Sequence, residues 1–152
     1  MGDMIRAAVK EAGLAPTDAN MGAVANRLRA ERGMDAIAQL CVPVIRQQSA
    51  PVVLVDGIRG DSEVRLFKKH FPGFVLVAVE TSFEKRLERL GNRGRSDDAI
   101  TATTLHARDV RELGWGLDAA LALADYHLNN DKDLPLFTRR VRELLKRLES
   151  GI

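Results

Sequence analysis

Two groups of residues have the types and spacing to handle a phosphate oxyanion. Asp56, Gly57 and Arg59 follow the apolar run Pro51-Val52-Val53-Leu54-Val55. A carboxylate there can hold a metal ion or its bound water, the glycine lets a phosphate approach the backbone, and the arginine can grip phosphate oxygens as a bidentate fork. The competing reading is a plain Asp-Gly turn followed by a solvated arginine. Lys85, Arg86, Arg89, Arg93 and Arg95 form the second group, with Arg108 and Arg111 further along. If residues 92–98 form a flap, its arginines could close over a polyanion and exclude water. Against that, Glu84 and Glu88 are placed to pair with neighbours at helical spacing, which leaves a solvated basic face.

Other chemistries find little support. His70, His106 and His127 are scattered without metal-ligand spacing, so a zinc site is not expected. No Gly-x-Ser-x-Gly elbow occurs. Aromatic residues make up only 5% of the chain and do not alternate with the basic ones, which argues against a nucleic-acid stacking surface. Arg139, Arg140, Arg142, Lys146 and Arg147 interleave with apolar residues and read as the wet side of a helix. Cys41 stands alone among apolar neighbours, reads as an inert buried thiol, and suggests a cytoplasmic setting. Trp115, between two glycines, reads as the packing anchor of a hinge, with base stacking as the alternative.

The elements that must position these residues alternate between helix and strand. Met4, Ile5, Ala8 and Val9, and then Met21, Val24, Ala25 and Leu28, have helical spacing. Asp35 can cap a third helix through Ile45, with a kink at Pro43. Residues 52–56 are a continuous β-branched run closed by Asp-Gly, the pattern of a parallel strand buried on both faces. A helix follows from Asp61 or Ser62, then a strand over 74–79, and Thr81 with Glu84 has capping-box spacing for the next helix. Helical segments at 101–113 and 116–124 flank Gly114-Trp115-Gly116, residues 126–129 suit a third strand, and Asp133 can cap a final helix. This order predicts a three-layer α/β/α domain over 1–152, with a mainly parallel sheet and a small lid at about 92–115. In such folds ligands sit beyond the carboxyl ends of the strands.

Composition sets the outer bounds. The 152 residues carry 23 Lys+Arg against 21 Asp+Glu, a net charge of +2, with 45% hydrophobic residues, which suits one domain with a real core. No run approaches the roughly 18–20 apolar residues of a bilayer span, and no export or lipidation signal is visible at Gly2-Asp3-Met4-Ile5-Arg6. With so small a net charge, any preference for anions must come from local clustering of arginines.

Several segments are familiar. Gly2-Asp3-Met4-Ile5-Arg6-Ala7-Ala8-Val9-Lys10 resembles the start of the acceptor-nucleotide region of adenylate kinases. Val55-Asp56-Gly57-Ile58-Arg59, Arg93-Gly94-Arg95-Ser96-Asp97-Asp98, Arg108-Asp109 with Glu112-Leu113-Gly114, and Ala124-Asp125-Tyr126 ending in Asn129 resemble an archaeal family of uncharacterised P-loop proteins. That family is related to dephospho-CoA kinase and adenylate kinase, and the resemblance runs over essentially the whole chain.

The resemblance implies roles by position. Gly2, Asp3 and Arg6 would bind the acceptor, together with Gly57 and Arg59. Asp56 would organise magnesium, Arg95 and Arg108 would neutralise the transferring phosphoryl group, and Asn129 would border an adenine pocket. Kinases of this group place a strand and a Gly-x-x-x-x-Gly-Lys-Ser/Thr loop before the Gly-Asp-Met-Ile-Arg segment. Here none of the twelve glycines is followed by Lys-Ser/Thr. The implied function is ATP- and magnesium-dependent phosphoryl transfer to a nucleotide or CoA-precursor-like acceptor in an intact form, with these 152 residues alone expected to be inactive. A noncatalytic nucleotide-binding relative and a basic interaction module are the alternatives. If the strand that the family places between 52–56 and 74–79 is absent, the remaining strands must either pair directly or leave edges that favour self-association.

Overall fold

Three helices open the chain, and their apolar stripes face one another. The computed structural model describes residues 1–92 and 101–150. Helix α1 (Gly2–Glu11), α2 (Asp18–Arg32) and α3 (Ala36–Arg46) bury Val9, Val24, Leu28, Ala36 and Ile37 in one cluster, edged by Ile5, Ala8, Met21 and Leu40. Thr17 starts α2 by accepting the Asn20 N–H at 3.2 Å. Asp35 stands before α3, but its carboxylate accepts from the Gln39 amide at 2.9 Å and not from the backbone. The helix continues past Pro43 to Arg46.

Helix α4 (Asp61–His70) closes a second cluster, in which Phe67 packs with Ala38, Cys41 and Val42. The Phe74 ring stacks on Phe67 with centroids 5.6 Å apart. Cys41 is a free, buried thiol, and burial pushes its pKa up, away from the reactive thiolate.

Strand β1 (Val77–Glu80) pairs in parallel with β2 (Tyr126–Asn129), Val77 opposite Tyr126 and Glu80 opposite Asn129. Between them run α5 (Phe83–Gly91), α6 (Ala102–Gly114) and α7 (Leu117–Ala122), and α8 (Leu134–Ser150) follows β2 and packs against it. The fold is α/β, mostly helical, with a small parallel two-stranded sheet. None of the described helices is long and apolar enough to cross a membrane.

Besides the Asp35 cap, three expectations change. Residues 52–56 form no strand: Val52 is 68% exposed and Leu54 92% exposed. A buried parallel strand needs a ladder partner and cover on both faces, and the only ladder among the described residues joins β1 to β2. The strand expected over 74–79 begins at Val77, because Phe74 turns onto Phe67 and Leu76 is already committed. The Leu76 N–H donates to the Asp125 carboxylate at 2.8 Å, and its carbonyl accepts from Asp125 and Tyr126. Finally, α5 is capped by Ser82, whose hydroxyl accepts the Lys85 N–H, and not by Thr81.

Thr81 instead donates to Asp131 at 2.8 Å, tying the exit of β1 to the exit of β2. Asp131 also accepts the Ser82 N–H at 2.8 Å and the Asn129 amide at 2.7 Å. Asp133 then caps α8, accepting the Leu136 N–H at 2.8 Å.

Two predictions follow from this arrangement. The Asn129 amide, the Ser82 N–H and the Thr81 hydroxyl stabilise the charged form of Asp131 and lower its carboxyl from 3.8 to about 2. A carboxyl depressed by folding contributes stability that is complete above about pH 5 and fades as pH falls through 3.8 toward 2. Asp131→Asn should therefore lower the melting temperature at neutral pH, and its deficit against the unaltered protein should shrink steadily on acid titration. A deficit independent of pH would show that the charge is irrelevant. In the second prediction, the open sheet edges and the exposed Val52, Leu54 and Val79 should make the chain self-associate as concentration rises in light scattering. Leu54→Lys should reduce that association, and a monodisperse monomer at all concentrations would contradict it.

Candidate functional site

The site is assembled where side chains of α6 reach α2 and the loop before α4. A reciprocal capping box starts α6, with Thr101 and Thr104 exchanging hydroxyl–backbone bonds of 2.8 and 3.2 Å. From that start the helical repeat puts Arg108, Arg111 and Glu112 on one face and ends at Trp115. Gly60, just before α4, lets the two segments touch: a Cβ there would stand 2.5 Å from the Trp115 carbonyl oxygen.

Beneath this contact Glu63 is fully buried. One of its oxygens accepts from the Arg29 guanidinium at 2.8 Å and the other from the Arg59 backbone N–H at 2.7 Å. Burial pushes the Glu63 carboxyl up and the Arg29 guanidinium down, and their mutual contact opposes both shifts. The Arg29 side chain is only 4% exposed. Its Nε and Nη1 lack hydrogen-bond partners, but its Cζ lies 4.1 Å from the Trp115 ring centroid, where the π face takes the place of an acceptor. Arg111 approaches the same ring at 5.7 Å, and the indole N–H donates to Asn26 at 2.7 Å.

Above Glu63 the cluster opens toward solvent. The Arg59 Nε is 3.0 Å from one oxygen of Glu112, and the Arg108 Nε is 3.2 Å from the other. Arg111 donates to Asp18 at 2.9 Å, with Arg108 within 3.8 Å of the same carboxylate. Four guanidinium groups thus share three carboxylates, Glu63, Glu112 and Asp18, in one connected network. Such an arrangement can hold a further oxyanion when a carboxylate gives way.

The residues singled out from sequence fall into distinct places. Arg59 and Arg108 are brought together through Glu112. Asp56 and Gly57 meet the start of α1, where Gly2 and Asp3 lie: the Met1 ammonium donates to the Asp56 carbonyl at 2.9 Å, and Gly57 turns the chain with φ 90. Arg6 pairs with Asp3 of its own helix at 3.0 Å. The Asp56 side chain is exposed, and among the described residues no three His, Cys, Asp or Glu side chains gather as a metal cluster. Asn129 ends β2, and its amide is taken up by Asp131 on both sides, accepting at 3.1 Å and donating at 2.7 Å. Arg93 and Arg95 lie outside the described residues.

Several members of the network carried no usable signal in the sequence. Glu63 and Arg29 meet only through tertiary packing, and Asp18, at the head of α2, looks like any acid in a first helical turn. Glu112 offered the one local hint, its i+4 spacing from Arg108.

Comparison with known proteins fits a single family. No protein-family model matches the sequence. A UPF0200 protein of Methanoregula boonei is 65% identical over 149 residues, a match covering 98% of this chain and 82% of that protein. A UPF0200 protein of Methanoculleus marisnigri is 57% identical over 97% of this chain and 81% of its own length. One of Methanosarcina mazei is 42% identical over 95% and 78% respectively. At these identities and coverages the chain belongs to the UPF0200 family of archaeal proteins.

Proposed function

We infer that these residues form the acceptor side of a nucleotide-kinase-like phosphotransferase. The observation that carries this is the convergence of Arg59, from the loop before α4, and Arg108, from α6, on a single carboxylate at the carboxyl side of the apolar run 51–55. The Arg108 Nε–H donates to one oxygen of Glu112 at 3.2 Å and the Arg59 guanidinium forms an ion pair with the other at 3.0 Å, so two cations converge on one anion as a phosphoryl group requires. A lone pair of surface arginines would not need a buried glutamate to hold the backbone of one of them.

In this reading Arg6, Arg59 and the start of α1 bind an acceptor that is a nucleotide or resembles a CoA precursor. Arg108 and Arg95 offset charge as it moves to the acceptor, and Asn129 borders the adenine side. Magnesium commonly takes one or two carboxylates and completes its shell with phosphates and waters, so the exposed Asp56 suits it. Bound there, the ion would neutralise phosphate charge. The chain's own residues orient the acceptor. No Gly-Lys-Ser/Thr loop occurs among the 152 residues, so the donor phosphates of ATP would be held by chain outside them, within a larger three-layer P-loop fold.

The test is phosphoryl transfer from Mg-ATP by a protein extended to the length of its relatives, against a panel of nucleoside monophosphates and CoA precursors. Turnover with one acceptor class is expected. Arg59→Ala should weaken that acceptor about tenfold or more, the equivalent of one charge-assisted hydrogen bond. If nothing turns over but calorimetry still shows AMP, ATP or a CoA derivative binding, and Arg6→Ala abolishes that heat, the protein is a noncatalytic nucleotide binder. No heat with any of them would overturn the nucleotide reading altogether.

A further inference from the structure

Glu112 occupies the place where an oxyanion would be gripped. Its carboxylate is 13% exposed, with one oxygen 3.0 Å from the Arg59 Nε and the other 3.2 Å from the Arg108 Nε. The two arginines reach it from different elements, so it ties α6 to the loop before α4 as well as neutralising charge. Neither arginine is locked there as Arg29 is on Glu63: Arg59 is 34% exposed and Arg108 25% exposed. Both can therefore exchange one anion for another without moving their backbones. The Arg59 backbone is held independently by Glu63, and Arg108 keeps Asp18 within 3.8 Å.

Resting on the acceptor-site reading above, we propose that Glu112 is an internal surrogate for the ligand's phosphate. It holds Arg59 and Arg108 in gripping position when the site is empty, and an incoming phosphate-type oxyanion displaces it. The surrogate does two things. It prevents mutual repulsion from driving the guanidinium groups apart, so the site is preorganised. It also sets an affinity threshold, because every anion must outcompete a carboxylate already in place. A singly charged carboxylate ligand offers no advantage over Glu112. A dianionic phosphate or a pyrophosphate does, which makes the exchange a filter favouring phosphorylated ligands over simple carboxylates.

Displacement also has a structural readout, because it loosens the tie between α6 and α4 beside Trp115. Trp115 is the only tryptophan of the chain, and its ring stacks against Arg29 and Arg111 in the same network. Its fluorescence reports the exchange directly.

The experiment is a titration of the 152-residue chain with inorganic phosphate, pyrophosphate, AMP and acetate, followed by Trp115 fluorescence and by calorimetry. Pyrophosphate should bind saturably and acetate should not. Glu112→Gln removes the competing charge but keeps a side chain of the same shape, so it should bind pyrophosphate roughly threefold or more tighter and lose discrimination against acetate. Glu112→Asp, which withdraws the carboxylate by one methylene, should fall between the two and serves if the glutamine variant does not fold. Arg59→Ala should abolish the fluorescence change. Pyrophosphate binding that is unchanged or weaker in the glutamine variant, or in the aspartate variant where that one stands in for it, overturns the surrogate role and leaves the oxyanion site standing. Absence of pyrophosphate and AMP binding in the unaltered protein and in both Glu112 variants overturns the acceptor-site reading itself.

Discussion

The site depends on one buried contact, the Arg29–Glu63 pair. A glutamate with no solvent exposure is stable only if both oxygens are satisfied, and here one takes the Arg29 guanidinium and the other the Arg59 backbone N–H. The pair joins α2, the loop before α4 and α4 itself. Removing one partner would strand a charge in the interior, a loss of about 3–5 kcal/mol. The tie is directional as well as cohesive. By holding the backbone of Arg59, Glu63 fixes where that side chain begins and therefore which anions it can reach.

From that fixed point the charges step outward in order of exposure. Glu63 and Arg29 are sealed, Arg111 and Glu112 are largely covered, and Arg59 and Asp18 are about a third exposed. Effective dielectric is lowest around Glu63 and Arg29 and higher at the partly exposed arginines, so the buried pair is structural. Trp115 marks the boundary. Its ring receives the guanidinium groups of Arg29 and Arg111, and its N–H reaches Asn26, so the aromatic flanked by glycines on the sequence packs into the charge network.

How much of this was legible depended on whether the signal was local. Helix positions follow from apolar periodicity and from caps such as Asp133, whose bond forms within a turn. The run 51–55 misled because β-branched, apolar composition describes a strand's environment and not its neighbour. Without a partner beside it, the segment is exposed. The cap at Thr81 failed for a related reason: Asp131, a tertiary partner, competed for its hydroxyl and Ser82 took over the cap. Of the network, Arg59 stood out by type after the apolar run 51–55, and Arg108 and Arg111 stood out as basic residues following the Lys85–Arg95 group. Glu63, Arg29 and Asp18 did not, because no spacing rule links residues that meet only after helices pack.

The two-stranded sheet and the charge network belong to different parts of the stability balance. A two-stranded parallel sheet is a weak unit, since each strand keeps an open edge and the apolar residues of 52–54 lie uncovered. The network does not lean on it. Its members come from α2, the loop before α4, α4 and α6, which are bound to one another by Arg29–Glu63, Arg59–Glu112 and Arg111–Asp18, while the Val9 and Phe67 clusters hold α2 and α4 to α3. Anything that completed the sheet would raise overall stability without having to create the arginine grip, because the grip is set by helix packing around Glu63. The charge network is therefore separable from the open sheet edge, and each can be perturbed without the other.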